Sequence, residues 1–188
     1  MKITDKIKRL PKRLKIVTAS LLALAVVALA GYWFMSNRTT DFSAGGVRFS
    51  YPVAYDDLTF TSAPDTLARL KLSDPESVIT LAVEKNADTG AKMTHANFLD
   101  NLEANANKSL PNSYKGYAED QASRTKVGGF DAATRFFHYT GSDTKSTVYV
   151  NLAIIPRGSD AYYLTVESTK KSVADDSFNK VKSSLKLP

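Results

Sequence analysis

The feature that most constrains this chain is a run of twenty residues, Ile16 to Met35, that contains no charged side chain. A helix rises about 1.5 Å per residue, so a run of this length spans about 30 Å, which is the hydrocarbon thickness of a bilayer. Inside lipid, a single segment can satisfy its backbone hydrogen bonds only as a helix. The sequence therefore predicts a transmembrane helix over residues 16–35 that binds membrane lipid.

The residues before this run predict its orientation. Residues 1–15 hold seven lysines and arginines and one acid, Asp5. By the positive-inside rule, this basic stub stays in the cytoplasm and everything after Met35 crosses the membrane. Tyr32 and Trp33 are then expected at the outer membrane interface, where amphipathic aromatic rings are favoured. We expect a single-pass protein whose C-terminal domain is extracytoplasmic, in a bacterial cell envelope.

A cleaved signal peptide is the alternative interpretation of the same segment. Ala28-Leu29-Ala30 matches an A-x-A-like cleavage pattern after an apolar core. The bulky residues Tyr32 to Met35 continue the apolar run to full bilayer length, and this length favours an uncleaved anchor. Cleavage after Ala30 stays open.

The distribution of charge argues against a nucleic-acid partner. The chain has 25 basic and 19 acidic residues, and its isoelectric point is about 9.4. Seven of the basic residues and one acid lie in residues 1–15, so residues 16–188 hold 18 of each. A nucleic-acid footprint needs positive potential on the folded domain. The exported part is formally neutral, and we expect it to bind no nucleic acid.

The remaining chain is expected to form one domain behind a short tether. Residues 36–45 are rich in Ser, Thr and Gly and predict a flexible linker. Residues 46–188 are long enough for one domain with a hydrophobic core. Because the chain contains no cysteine, that core must supply the stability without disulfides.

Alternation of apolar and polar residues predicts most of the strands. The segment from Glu76 to Lys85 is apolar on both faces, which indicates a central strand. Tight turns at Gly128-Gly129 and Gly158-Ser159-Asp160 make the strands they join antiparallel. The predicted strands lie at 47–51, 58–60, 70–72, 76–85, 130–139, 147–155 and 161–168, while 114–127 is strand-like only in parts.

Two amphipathic helices complete the pattern. Thr94 is expected to cap the first helix, whose apolar stripe is Phe98, Leu99, Leu102 and Ala106 and which is expected to stop before Pro111. Asp175 or Asp176 is expected to cap the second helix, which carries Phe178, Val181 and Leu185. Apolar stripes need a sheet face to cover. The expected fold is therefore α+β, with helices flanking a mainly antiparallel sheet.

Three local patterns in this order resemble the PsbP-like family, whose fold is shared with the Mog proteins and with exported proteins of the DcrB and LpqN type. Phe49-Ser50-Tyr51-Pro52 is similar to the family's opening strand. Val127 to Ala132 is similar to its glycine turn, and Phe178 to Leu185 is similar to its closing helix. The resemblance implies a PsbP-like sandwich and a non-catalytic accessory or binding component at a membrane.

A search for catalytic chemistry in the sequence is mostly negative. The two histidines, His95 in the first predicted helix and His138 in a strand, are expected to have structural roles. Without cysteine or a two-histidine spacing, neither a metal site nor a cofactor site is predicted. The pairs Asp56-Asp57 and Asp175-Asp176 are expected to serve turns and caps, since strand neighbours point to opposite faces.

Two function hypotheses of different class remain. The first is a membrane-anchored, extracytoplasmic binding or accessory domain that is not an enzyme and contacts a protein or envelope partner. The second is an envelope hydrolase that uses Asp56, Asp57 or Glu84. Tyrosines crowd the second half of the domain, and Tyr149 and Tyr163 are the two expected to face a partner.

Overall fold

The computed structural model describes residues 24–28, 38–87, 94–142 and 145–188. The chain divides into two compact units, Met1–Arg38 and Thr39–Pro188. In the first unit, residues 24–28 are helical. The other residues of the predicted span, Tyr32 and Trp33 among them, lie outside the described residues. So do the basic stub 1–15 and Leu29-Ala30 of the cleavage motif. Within the described part of the chain, no helix combines the length and the apolarity needed to cross a bilayer.

The second unit is built from strands and two long helices. Its described helices are α1 (His95–Ser113) and α2 (Lys171–Ser184), and Thr59–Thr61 form one 3-10 turn. Its described strands are β1 (Thr39–Ala44), β2 (Val47–Pro52), β3 (Asp56–Asp57), β4 (Thr66–Leu72), β5 (Ser77–Glu84), β6 (Ala118–Val127), β7 (Phe130–Thr140), β8 (Thr147–Arg157) and β9 (Asp160–Ser168).

Seven of the strands form one antiparallel sheet in the order β3-β4-β5-β9-β8-β7-β6, and β1 and β2 form a separate antiparallel hairpin. The predicted α+β fold with a mainly antiparallel sheet is therefore confirmed. Strand β5 lies between β4 and β9, as its apolar residues on both faces predicted.

The two helices cover opposite faces of the sheet. On one face, which we call the α2 face, Phe178 and Val181 of α2 join Leu70, Ile79 and Leu164 in a cluster of buried residues. On the other, the α1 face, Phe98 and Leu102 of α1 join Phe137 and Ile154. The β1–β2 hairpin packs into the cluster of the α2 face. Successive strand residues alternate between these faces, so sequence parity assigns each side chain to one of them.

Strand β1 corrects the predicted linker. Residues 39–44, placed in the flexible tether 36–45, pair with β2. Gly45 and Gly46 take positive φ angles of 58° and 81°, which allows the two-residue hairpin turn. Phe42 is buried and stacks on Phe49 with 5.0 Å between ring centroids. The burial of this one aromatic ring outweighs the polar composition around it.

Helix α1 begins as predicted but ends later. The Thr94 hydroxyl accepts the cap hydrogen bond from the Asn97 backbone at 3.3 Å. The helix continues through Pro111 to Ser113, and the backbone N–H of Tyr114 donates to Leu110 at 3.1 Å. In the last turn a proline removes only one helical hydrogen bond, so the helix tolerates it there.

Helix α2 begins earlier than predicted. Its N-cap is Lys170, without a side-chain cap, and neither Asp175 nor Asp176 caps it. Asp175 instead accepts hydrogen bonds from Asn151 and from Lys171. The buried stripe starts at Ala174, so burial against the sheet extends the helix beyond the acidic pair.

The segment around Leu58 is not the predicted strand. The pairing strand is the two-residue β3, and Thr59–Thr61 form the 3-10 turn that follows it. Phe60 is 86% exposed and adds nothing to the core. Strand β6 runs along the opposite edge of the sheet with mostly exposed side chains, which explains its weak apolar alternation.

Candidate functional site

The candidate site lies on the α1 face, beside the helix. Helix α1 packs mainly against β7 and β8. The same face of β5 and β9 carries side chains that are half-buried or exposed, and we call this area the open half of the α1 face. It consists of Val78, Thr80, Ala82 and Glu84 of β5 and Tyr163, Thr165 and Glu167 of β9. Small side chains form its floor, and tyrosines and glutamates stand at its two ends.

A cavity of about 200 Å³ opens at one end of this area. Glu167, Tyr139 and Val78 contribute to its walls. The Tyr139 hydroxyl donates to Oε2 of Glu167 at 3.3 Å. Burial raises the pKa of Glu167, while this hydrogen bond and the Arg69 charge act in the opposite direction. The cavity therefore presents a half-buried carboxylate beside a phenol.

Tyr139 belongs to a cluster of aromatic rings at the end of α1. Its ring lies 4.7 Å from that of Tyr114, which in turn lies 5.2 Å from Phe137. Burial, reinforced by the charge of Glu167, raises the pKa of both Tyr114 and Tyr139. Both phenols therefore stay protonated at neutral pH and can donate hydrogen bonds.

The two tyrosines predicted to face a partner lie on opposite faces of the sheet. Tyr163 is half-buried in the open half, and its hydroxyl donates to Oε2 of Glu84 at 2.8 Å. Tyr149 is half-buried on the α2 face, where its ring lies 6.0 Å from that of His138. One flat partner surface cannot contact both, so Tyr163 alone belongs to the candidate site.

The carboxylates of the hydrolase hypothesis do not come together. Asp57 pairs with Leu70, which pairs with Ile79, and Glu84 lies five residues further along β5. At about 3.4 Å per residue, this separation is about 17 Å along the strand direction alone. Asp57 instead accepts a hydrogen bond from the Thr59 backbone at 2.9 Å, which is the turn role predicted for the pair.

The histidines are placed apart. His95 is exposed in the first turn of α1. His138 is half-buried, and its Nδ1 lies 3.2 Å from a carboxylate oxygen of Asp120. Among the residues that the structure describes, no three His, Asp or Glu side chains are grouped so that they could hold a metal ion.

Sequence reasoning missed Glu167. The signal was present, because Tyr162, Leu164 and Val166 alternate with Tyr163, Thr165 and Glu167. The apolar set fills the α2 face, so the polar set must share the other face. Only the tertiary structure shows that Tyr139, two strands away, reaches the same carboxylate.

The pKa of Glu167 gives a prediction about pH. Between the pKa of an unfolded glutamate, about 4.3, and the raised pKa in the native state, the native state holds more protons than the unfolded one. The free energy of unfolding therefore falls as pH rises through this window. We expect Glu167→Gln to remove this fall, so its stability relative to the wild type increases as pH rises through this window.

Urea denaturation followed by circular dichroism at several pH values measures this difference. Glu76→Gln, at the rim of the same cavity and more than half exposed, controls for the loss of one negative charge. Parallel pH profiles for wild type and Glu167→Gln would show that ionisation of this carboxylate does not contribute to the pH dependence of stability.

The comparisons with solved structures identify the fold. LpqN of Mycobacterium tuberculosis, described as involved in cell envelope biogenesis, is 13% identical with a TM-score of 0.52, covering 80% of this chain and 91% of that one. Cyanobacterial PsbP from Synechocystis sp. PCC 6803 is 10% identical with a TM-score of 0.53, covering 80% and 92%. At these identities the likeness concerns the fold alone, and it confirms the PsbP-like fold that the sequence motifs indicated.

A search of curated proteins found no match to this chain. A family model described as the serine/threonine kinase C-terminal domain matches residues 58–185. The matched region runs from the end of β3 to the end of α2 and covers more than half of the chain. The chain therefore belongs to the serine/threonine kinase C-terminal domain family.

Proposed function

We propose that the protein is a membrane-anchored accessory protein whose extracytoplasmic domain binds a protein or envelope partner and catalyses no reaction. The observation that carries this proposal is the open half of the α1 face. It presents partly exposed tyrosine and glutamate side chains over a floor of small residues, outside the area that α1 covers. Tyrosine suits such surfaces because it combines a large apolar body with a polar tip.

The family assignment supports a non-catalytic role. The family is named after a domain of serine/threonine kinases. The 188 residues contain neither an H-R-D catalytic-loop motif nor a D-F-G motif, which phosphoryl transfer by protein kinases requires. In this proposal the domain recognises the partner, and any phosphoryl transfer is carried out by a different polypeptide.

Residues 16–35 supply the anchor in this proposal. Leu24, Val26 and Val27 are each more than half exposed in the helical residues 24–28. Apolar side chains of this size favour lipid over water. The LpqN neighbour, described as involved in cell envelope biogenesis, agrees with an extracytoplasmic location.

Site-specific photocrosslinking in cells tests the proposal. A photoreactive phenylalanine analogue replaces Tyr163 in one version of the full chain and Tyr149 in another. The two positions are matched because both are half-buried tyrosines, but they lie on opposite faces of the sheet. We expect a discrete crosslinked partner from position 163 after detergent extraction and none from position 149.

A version in which residues 16–35 are exchanged for an unrelated transmembrane segment should retain that crosslink. Loss of the crosslink on this exchange would assign the contact to the membrane segment. A partner captured only from position 149 would refute the open half as the contact surface. Capture of nothing from either position would refute the accessory role.

A further inference from the structure

A second groove, on the α2 face, has a different chemistry from the open half. It is a cavity of about 490 Å³ between α2 and the edge strand β6. We call it the α2–β6 groove. One wall is formed by Gln121, Ser123 and Thr125 of β6, the other by Asp175, Asn179 and Lys182 of α2, and the floor by Thr134, Phe136 and Asn151.

The walls are two rows of polar side chains held by regular structure. Gln121, Ser123 and Thr125 are alternate residues of β6, so they point to one face at intervals of about 7 Å. Asp175, Asn179 and Lys182 follow the i, i+4, i+7 pattern and share one side of α2. A ligand lying along the groove would meet polar groups on both sides.

Hydrogen bonds already fix the floor of this groove. Asn151, only 3% exposed, donates from Nδ2 to Oδ1 of Asp175 at 2.9 Å. The hydroxyls of Ser123 and Thr134 lie 2.9 Å apart. By contrast, the Gln121, Thr125 and Asn179 side chains have no hydrogen-bond partner within the described residues, and Gln121 and Asn179 are exposed. The walls therefore offer free amide donors and acceptors above a rigid floor.

The charges in the groove are largely neutralised. Arg124 is held by Asp100 and Glu103 of α1, and Lys171 is held by Asp175 at 2.7 Å. Lys182 is the one lining charge without a carboxylate partner in the described part of the chain. Phe136 adds a half-buried ring, which packs edge-on against Phe178 at 5.8 Å. The groove therefore suits a polar ligand that is neutral or weakly anionic.

We propose that the α2–β6 groove binds an oligosaccharide that carries hydroxyl and acetamido groups. A side-chain amide both donates and accepts hydrogen bonds, so Gln121 and Asn179 can each donate to the carbonyl of an acetamido group or accept from its N–H, and they can pair with hydroxyl groups as well. The ring of Phe136 offers an apolar surface to the methyl of an acetamido group, a contact that a sugar without acetamido groups cannot make. Within the α2–β6 groove itself, a strongly anionic peptide or nucleic acid would find Lys182 as the only cation without a carboxylate partner among the described residues.

A neighbouring cavity lengthens the groove, and this length favours a chain of sugars over a single sugar. Asn179 and Lys182 also line a neighbouring cavity of about 590 Å³ that extends towards Gly128-Gly129 and Lys186. Two sugar units or more could therefore lie along one side of α2. This surface is on the opposite sheet face from the open half, so the inference does not depend on the proposed partner contact.

Calorimetric titration of the full chain tests this inference, in a detergent without sugar groups. The probes are chitotetraose, a chain of four N-acetylglucosamine units, and cellotetraose, which lacks the acetamido groups. We expect chitotetraose to bind, and the double variant Gln121→Ala, Asn179→Ala to lose about tenfold or more in affinity, since two hydrogen bonds are removed. Asn105→Ala, an exposed asparagine on α1, is the matched control and should bind as the wild type does.

Circular dichroism establishes that the variants are folded, which we expect because both substituted side chains are exposed. Equal binding of cellotetraose would overturn the proposed recognition of acetamido groups. Binding that the double variant leaves unchanged would place the sugar elsewhere and overturn the inference. No binding of either probe at about 10 mM would also overturn it.

Discussion

Phe178→Ala is expected to lower the free energy of unfolding by about 3–5 kcal/mol, a large part of the stability of a domain of this size. Phe178 is fully buried in the cluster beneath α2 and contacts Phe136 edge-on. Its replacement removes buried apolar area and leaves a cavity that the surrounding strands cannot fill, because a sheet relaxes little.

Urea denaturation of the full chain, followed by circular dichroism, measures this loss. Phe60→Ala is the matched control, since it removes the same side chain from a position that is 86% exposed. The control should change the free energy of unfolding by less than about 0.5 kcal/mol. Similar losses for the two variants would contradict the assignment of Phe178 to the core.

The second large effect is expected at an ion pair on the α1 face whose arginine is buried and whose glutamate is partly exposed. The Arg135 side chain is 6% exposed, and its guanidinium donates to Oε2 of Glu119, which also accepts from the Tyr117 hydroxyl at 3.0 Å. Nε of Arg135 has no partner among the described residues. Glu119→Ala would leave this cation buried without its counter-ion, and we expect a loss of about 3 kcal/mol in the free energy of unfolding.

Arg135→Leu should cost much less than Glu119→Ala, because it removes the buried charge itself and leaves Glu119 partly exposed to water. Thermal or urea unfolding of both variants gives the comparison. Asp131→Ala breaks the exposed pair with Lys126 and should leave the midpoint unchanged. A larger loss for Arg135→Leu than for Glu119→Ala would show that the packing of the arginine, and not its charge, stabilises the sheet.

The two proposed binding surfaces use the two faces of one sheet. The open half of the α1 face holds Glu167 and Tyr163, and the α2–β6 groove holds Gln121 and Asn179. Most side chains of strands β8 and β9, which lie in the middle of this sheet, are buried. A partner and an oligosaccharide could therefore bind at the same time without contact between them.

Local patterns were sufficient to predict most of the sheet. The strict alternation in β2 and β9, and the apolar residues on both faces of β5, placed these strands before the structure was known. The Gly128-Gly129 turn and the Thr94 cap were also predicted correctly, because each depends on the chemistry of a few neighbouring residues. Such features need no information from distant parts of the chain.

Two of the errors, the linker and the start of α2, share one cause, which is the burial of an apolar side chain against another element. Strand β1 exists because Phe42 packs on Phe49, and α2 starts early because Ala174 packs on the sheet. In both cases the burial of an apolar group outweighed a local preference for linker or cap. The environment of Glu167 depends instead on a tyrosine two strands away.

The sequence by itself determined the antiparallel α+β architecture, the resemblance to the PsbP-like family and the prediction of a charge-free anchor segment. Only the tertiary structure decided which side chains share a surface. It separated Tyr149 from Tyr163, kept Asp57 away from Glu84, and brought Gln121 and Asn179 to one groove. Periodicity assigns a residue to a face of its own strand or helix, but the order of the strands and the position of each helix determine its neighbours.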